Sequence, residues 1–150
     1  MERTTGILLP IFSLPSNQGI GDFGKHTYRL IDAIAKQHIH IWQILPLNPV
    51  GYGNSPYQPY SSFAGDELYI SIDTLADYGL LKQSSIRNYN KFSERVDYEG
   101  VRKFKEPYLR KAFKTFQKNF HEFEQEYQLF TSQSEWLYPY AVFITLKKQN

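Results

Sequence analysis

The first half of the chain alternates short, mainly apolar runs with loops rich in glycine and proline. Such runs fill positions 6–12 and 39–47, and the pattern is typical of strands buried on both faces. Between them, apolar positions at helical spacing predict a helix over about 23–37, with Asp22 as its N-cap. The order strand, helix, strand predicts a βαβ unit with parallel strands.

The second predicted strand leads into a long loop over residues 48–65. Loops at the carboxyl ends of parallel strands are where α/β barrels and open α/β sheets place ligand sites. A further apolar run at 68–73 leads into a short predicted helix at 74–78, which ends at Gly79. The long loop is therefore the first place to look for a site.

The second half of the chain has a helical texture from Ser84 onward. Apolar and aromatic positions recur every three or four residues between 101 and 127, which predicts one or two long amphipathic helices, with Pro107 starting or breaking one. A last helix is predicted over about 134–148. The change of texture predicts a subdomain boundary near residues 81–85, and both tryptophans, Trp42 and Trp136, are expected in the core.

Charge and composition exclude several classes of function. The net charge of +2 over 150 residues is too small for a dense basic surface, so we expect no nucleic-acid partner. Residues 82–150 carry thirteen basic and eight acidic side chains, which fits the solvated faces of amphipathic helices. No run of about 18 apolar residues occurs, so no membrane span is expected.

Cysteine and histidine usage narrows the chemistry further. The chain contains no cysteine, which removes disulfides and thiolate catalysis and fits a cytoplasmic location. Its four histidines show no metal-ligand spacing, so neither a metal nor another cofactor is expected.

The loop over 51–65 combines aromatic rings with hydrogen-bonding side chains. Sugars present apolar C–H faces and a rim of hydroxyls, and a site for them needs flat rings together with amide and hydroxyl groups. The candidate rings are Tyr52, Tyr57 and Tyr60, and the candidate polar partners are Asn54, Ser55, Gln58 and Ser61. Two interpretations stay open from composition: a sugar-binding loop, or an ordered surface loop whose tyrosines pack over the end of a barrel.

Several ordered blocks of the sequence resemble one enzyme family. They include GILL at 6–9, GIGD at 19–22, WQILPL at 42–47, GYGNSPYQ at 51–58 and SSFAG at 61–65. Together they look like the start of the 4-alpha-glucanotransferase family (amylomaltase or disproportionating enzyme, glycoside hydrolase family 77). A weaker similarity continues to Phe143. Pro139 departs from the pattern, because the family usually carries an acidic residue there, and a kinked or restarted helix is expected at that point.

The resemblance implies an α/β fold class. Residues 1–81 are expected to form the first βαβ units of a (β/α)8 TIM barrel, with 48–65 as a loop of the substrate cleft. Residues 82–150 are expected to form a mostly helical inserted subdomain.

The activity implied is transfer of a segment of an α-1,4-glucan to the 4-hydroxyl of another glucan or glucose, by a retaining double displacement. The family's Asp nucleophile, Glu acid/base and stabilising Asp lie beyond the C-terminus of this chain. We therefore expect the isolated chain neither to transfer glucan nor to fold to a stable monomer without the missing C-terminal barrel. The alternative is a non-catalytic α-glucan-binding module.

The resemblance also carries binding residues onto the loop. Tyr57 matches the family tyrosine that lines the donor side of the cleavage point, and Ser55 lies beside it. Tyr52 matches a tyrosine associated with a second glucan-binding site. The implied partners are maltooligosaccharides and starch or glycogen chains, which would place the protein in the cytoplasm.

Overall fold

The computed structural model describes residues 3–91 and 94–149, and of residue 52 the backbone only. Its helices and strands are, in chain order, β1 (Gly6–Leu8), α1 (Lys25–Lys36), β2 (Ile41–Gln43), α2 (Ile72–Asp77), α3 (Tyr98–Lys118), α4 (Phe120–Ser132) and α5 (Leu137–Gln149). Short 3-10 turns lie at Ile11–Ser13, Tyr52–Asn54, Glu67–Tyr69 and Gln83–Ser85. Among the described residues, no helix is both long and apolar enough to cross a membrane.

The predicted βαβ unit is confirmed. Strands β1 and β2 pair in parallel, with Gly6 opposite Ile41 and Leu8 opposite Gln43, and α1 lies between them in the chain. Both strands are shorter than their apolar runs. Leu8 and Ile41 are on the same face of the sheet and are 58% and 52% exposed, so the expectation of burial on both faces is wrong for the part of the chain described here. A two-stranded sheet buries an apolar face only where another layer covers it.

The prediction that Asp22 caps the first helix is wrong. Helix α1 begins at Lys25, its N-cap is Gly24, and no side chain accepts a capping bond there. The Thr27 hydroxyl donates to the carbonyl oxygen of Asp22, while the Asp22 carboxylate is bonded by Lys105. The carboxylate therefore takes part in an ion pair with a distant lysine, and such a charge-assisted bond is stronger than one from a neutral donor.

The prediction that Pro107 starts or breaks a helix is wrong as well. Helix α3 runs from Tyr98 through Pro107 to Lys118, and its true start is capped by Asp97, which accepts from the amide of Gly100. The buried face of α3, which includes Val101 and Ala112, offsets the hydrogen bond that proline removes. The helical texture predicted from Ser84 therefore becomes a helix only at Tyr98.

Helix α5 begins close to the predicted restart. It starts at Leu137, so that Pro139 lies in its first turn, where a missing amide hydrogen costs no intrahelical bond. The predicted end of the short second helix is also confirmed, because Gly79 has φ +73° and follows the cap of α2.

The core consists of two clusters that both include α3. The first joins Ile20, Leu68, Tyr89 and Val101, and the second joins Ile72, Leu81 and Ala112. Gly19 packs against the first cluster at φ +82°, where an added Cβ would lie 2.8 Å from Val101 Cγ2. The loops that follow β1 and β2 are thereby anchored to the long helix α3.

Candidate functional site

The long loop after β2 closes on itself to form a smaller projecting loop. The amide of Gly51 donates to the carbonyl oxygen of Gln58 at 3.2 Å, and the amide of Tyr60 donates to that of Pro49 at 2.9 Å. Val50 and Pro59 form an antiparallel bridge between these two bonds. Five of the seven candidate residues therefore belong to one closed segment, 51–58, which we call the inner loop; Tyr60 and Ser61 lie just after it.

Among the described side chains of the inner loop, Tyr57 is the aromatic one, and it is exposed to solvent. It is 70% exposed, and its amide donates to Ser55 Oγ at 3.3 Å. The carbonyl oxygen of Ser55 accepts from the amide of Gln58 at 3.2 Å. The predicted binding role of Ser55 therefore comes with a structural one, since its hydroxyl and carbonyl oxygen shape the turn that carries Tyr57.

Two of the other predicted site residues in the inner loop, Asn54 and Gln58, are exposed. Asn54 is exposed and has φ +53°, a left-handed conformation that asparagine tolerates better than most residues. Gln58 is exposed, and its side chain is available for hydrogen bonding beside Tyr57. The side chain of Tyr52 lies outside the described residues.

Two further aromatic residues of the loop pack against α5 and the residue just before it. Tyr60 lies 6.2 Å from Phe143 between ring centroids, and Lys147 Nζ lies 4.6 Å from the centre of the Tyr60 ring. Phe63 is stacked on Trp136 at 6.3 Å and 13°. Trp136 was expected in the core and lies instead, half-buried, at the contact between the loop and the last helix.

The end of the long loop is bonded to helix α3. Arg102 donates from Nη2 to Asp66 Oδ2 at 2.6 Å and from Nη1 to Asp66 Oδ1 at 3.1 Å. The same Nη1 donates to Glu67 Oε1 at 3.1 Å. The sequence alone does not predict this pair, since no local pattern relates Asp66 or Glu67 to an arginine far along the chain.

A buried ion pair lies next to this contact. Lys105 Nζ donates to Asp22 Oδ2 at 3.1 Å and to the carbonyl oxygens of Leu68 and Ile70 at 2.7 and 2.9 Å. Burial lowers the pKa of Lys105 and raises the pKa of Asp22, while the attraction between the two charges opposes both shifts. All three ammonium hydrogens have acceptors, so Lys105 is a structural group.

The chemistry available at the loop is that of binding. The carboxylates of Asp22 and Asp66 are paired with cations, and Asp73 Oδ1 accepts from Gln83 Nε2 at 3.4 Å. Within residues 3–91 and 94–149, no group of three or more histidine, aspartate or glutamate side chains is placed to hold a metal ion. What the inner loop offers is an exposed ring beside hydroxyl and amide groups.

The architecture matches part of a solved amylomaltase. The structure superposes on the amylomaltase from Streptococcus agalactiae solved in complex with acarbose, with a TM-score of 0.90 and 33% sequence identity, over 99% of this chain and 30% of that one. The model of the 4-alpha-glucanotransferase family matches residues 9–150. The chain belongs to the 4-alpha-glucanotransferase family, and the resemblance noted in the sequence is confirmed.

Curated relatives agree over nearly the whole chain. A 4-alpha-glucanotransferase of Synechocystis is 43% identical over 150 residues, and one of Aquifex aeolicus is 39% identical over 149 residues. Each match covers 98% of this chain and 30% of the relative. The chain thus spans about 30% of the length of these relatives.

Proposed function

We propose that this chain forms the front of the substrate cleft of a 4-alpha-glucanotransferase, which passes a segment of an α-1,4-glucan to the 4-hydroxyl of another glucan or glucose with retention of configuration. The observation that carries the proposal is Tyr57, which is 70% exposed on a loop closed by backbone hydrogen bonds. A ring held in this way is a platform for the apolar face of a sugar, and little ordering entropy is lost on binding.

In this proposal the chain binds the sugar, and the rest of the enzyme supplies the catalytic groups. Retaining transfer needs two carboxyl groups about 5 to 5.5 Å apart, one as nucleophile and one as acid and then base. Asp22 and Asp66 are held in ion pairs and are unsuited to either task. We therefore assign the chain a binding role, with Tyr57 as the platform and Ser55, Asn54 and Gln58 as partners for sugar hydroxyls, while the catalytic Asp, Glu and Asp come from beyond residue 150.

We infer further that residues 1–81 supply the first βαβ units of a (β/α)8 barrel and that 82–150 form a helical insertion. The exposed side chains of Leu8 and Ile41 on one face of the sheet support this proposal. An uncovered apolar face of this kind is what further parallel strands and their helices would bury. The cytoplasmic location stays a prediction.

The test uses a hybrid protein in which residues 1–150 replace the matching segment of the Synechocystis relative. We expect Tyr57→Ala to weaken maltoheptaose binding about tenfold or more, because stacking on an aromatic ring contributes one to a few kcal/mol. Tyr78→Ala is the matched control, since Tyr78 is also a well-exposed tyrosine but lies outside the loop. Equal affinity of the Tyr57→Ala and parent hybrids would contradict the proposed role.

The alternative is a non-catalytic α-glucan-binding module, and it is favoured by the engagement of Asp22 and Asp66 in ion pairs. Both functions predict sugar binding through Tyr57. They differ in whether glucan is transferred. If this chain is part of the enzyme, the hybrid converts maltotriose into longer and shorter glucans. If it is only a binding module, the hybrid leaves maltotriose unchanged.

A further inference from the structure

We propose that the ion pair between Asp66 and Arg102 is a positioning device that holds the inner loop, and with it Tyr57, in the orientation that binds glucan. This inference rests on the proposed function and names two residues that act through Tyr57 without being sugar ligands. Asp66 directly follows the long loop over residues 48–65, so the pair joins the end of the loop to helix α3.

Asp66 also ties the end of the loop to its beginning. Its amide donates to the carbonyl oxygen of Leu47 at 2.8 Å, and its Oδ2 accepts from the amide of Val50 at 3.4 Å. Its Oδ1 accepts from the amide of Leu68 at 3.0 Å. Val50 is in turn bridged to Pro59, directly after the inner loop. A displacement of Asp66 is therefore passed on to both ends of the segment that carries Tyr57.

Helix α3 is a firm support for this contact. Arg102 and Lys105 are three positions apart and so lie on one side of the helix, where Arg102 bonds residues 66 and 67 and Lys105 bonds the carbonyl oxygens of Leu68 and Ile70. The helix thus holds a continuous stretch, residues 66–70, with two cations. Val101, which is fully buried, fixes the same turn of α3 in the core.

The electrostatics favour an arginine at this point. The Asp66 side chain is 2% exposed and that of Arg102 is 32% exposed, so the carboxylate has little contact with water and depends on the guanidinium for its charge partner. The planar fork of arginine contacts both carboxylate oxygens, which fixes an orientation as well as a distance. A lysine would supply the charge through one point and would leave the direction of the carboxylate less defined.

The experiment compares Arg102→Gln, Arg102→Lys and the control Arg110→Gln in the hybrid protein. Arg110 is an exposed arginine of the same helix, ion-paired with Glu106. The first measurement is amide exchange without sugar, read at the amides of Gly51 and Tyr60. We expect Arg102→Gln to speed exchange there about tenfold, Arg102→Lys to have an intermediate effect, and Arg110→Gln to have none.

The second measurement is the affinity for maltoheptaose in the presence and absence of the Tyr57 ring. We expect Arg102→Gln to weaken binding about tenfold in the parent hybrid and less than about twofold in the Tyr57→Ala background, because the loss acts through that ring. A general structural role would weaken binding by the same factor in both backgrounds. Far-UV circular dichroism confirms folding, and Arg102→Lys replaces Arg102→Gln if the latter does not fold.

The outcomes separate the two proposals. Unchanged exchange at Gly51 and Tyr60 in both Arg102 variants overturns the positioning role, whatever the sugar affinities are. Equal weakening by Arg102→Gln with and without the Tyr57 ring overturns it too. If Tyr57→Ala alone leaves affinity unchanged, the proposed binding role fails, while faster exchange in Arg102→Gln still establishes that the pair holds the loop.

Discussion

Lys105 Nζ lies 3.1 Å from Asp22 Oδ2, although 83 positions separate the two residues. The lysine is fully buried and also bonds two backbone carbonyl oxygens of the segment after the long loop. One cation therefore joins three parts of the chain: the segment before α1, the end of the loop region and helix α3. Lys105 lies on α3, the helix that also contributes to both apolar core clusters.

Removal of this cation is expected to destabilise the fold strongly. Lys105→Met leaves the Asp22 carboxylate buried without a charged partner, and we expect a loss of about 3 to 5 kcal/mol in the free energy of unfolding. The measurement is urea unfolding of the hybrid protein, followed by circular dichroism. Lys103→Met is the matched control, because Lys103 lies on the same helix but is exposed, in an ion pair with the exposed Glu99; we expect a change within about 0.5 kcal/mol.

The effect of Lys105→Met should depend on the charge of its partner. Adding Asp22→Asn removes the unpaired charge, so the double variant is expected to be more stable than Lys105→Met alone. A double variant that is less stable would show that Asp22 stabilises the fold independently of the lysine.

Gly19 is expected to tolerate no side chain. At φ +82° an alanine is strained, and its Cβ would also lie 2.5 Å from Tyr89 Cδ1 and 2.8 Å from Val101 Cγ2. Gly79 has a similar φ of +73°, but a Cβ added there would have no other atom within 4 Å. Gly79→Ala should therefore lower the free energy of unfolding only by the backbone strain of about 1 kcal/mol. We expect Gly19→Ala to lower the free energy of unfolding, measured with urea, by about 1 to 3 kcal/mol more than Gly79→Ala does, because the added methyl group also overpacks the core. Equal destabilisation by the two substitutions would show that the side chains of Tyr89 and Val101 move aside without loss of stability.

The cap of α3 predicts a dependence of stability on pH. The amide of Gly100 and the hydroxyl of Tyr89 donate to the Asp97 carboxylate and hold the pKa of Asp97 below its usual value of 3.8. A lowered pKa in the folded state means that Asp97 stabilises the protein above pH about 4, and that this contribution is lost as the pH falls through the lowered pKa.

The corresponding experiment compares unfolding midpoints of the parent hybrid and Asp97→Asn at pH 7 and pH 3. The variant is expected to be less stable at pH 7, and the difference is expected to be smaller at pH 3, because below the usual pKa of 3.8 the unfolded parent binds a proton more readily than the folded parent. Asp32→Asn, at an exposed position of α1, controls for the loss of one negative charge. A difference that is the same at both pH values would contradict the role of the ionised cap.

The isolated chain is expected to transfer no glucan. Chromatography of maltotriose incubated with the 150-residue protein should show the substrate unchanged, because Asp22 and Asp66 are ion-paired and cannot serve as nucleophile or acid. Formation of maltotetraose and longer products by the isolated chain would contradict this expectation and the assignment of the catalytic groups to another part of the enzyme.

Local patterns were sufficient for much of the architecture. The order of β1, α1 and β2, their parallel pairing and the end of α2 at Gly79 follow from apolar periodicity and from the conformational freedom of glycine, which depend on neighbouring residues. The ordered blocks of the sequence also identified the family. Five of the seven binding candidates lie in one closed loop, and their closeness in sequence already placed them together.

The tertiary structure decided which charges meet and which surfaces are covered. Asp22 is a plausible helix cap by its neighbours, but it pairs with Lys105 because folding buries both groups and leaves each as the other's charged partner. Asp66 pairs with Arg102 across 36 positions, and Trp136 packs on Phe63 instead of entering the core. Pro107 remains inside α3 because buried residues on either side hold the helix together. Contacts of this kind depend on the three-dimensional approach of distant segments, and no pattern of adjacent residues specifies them.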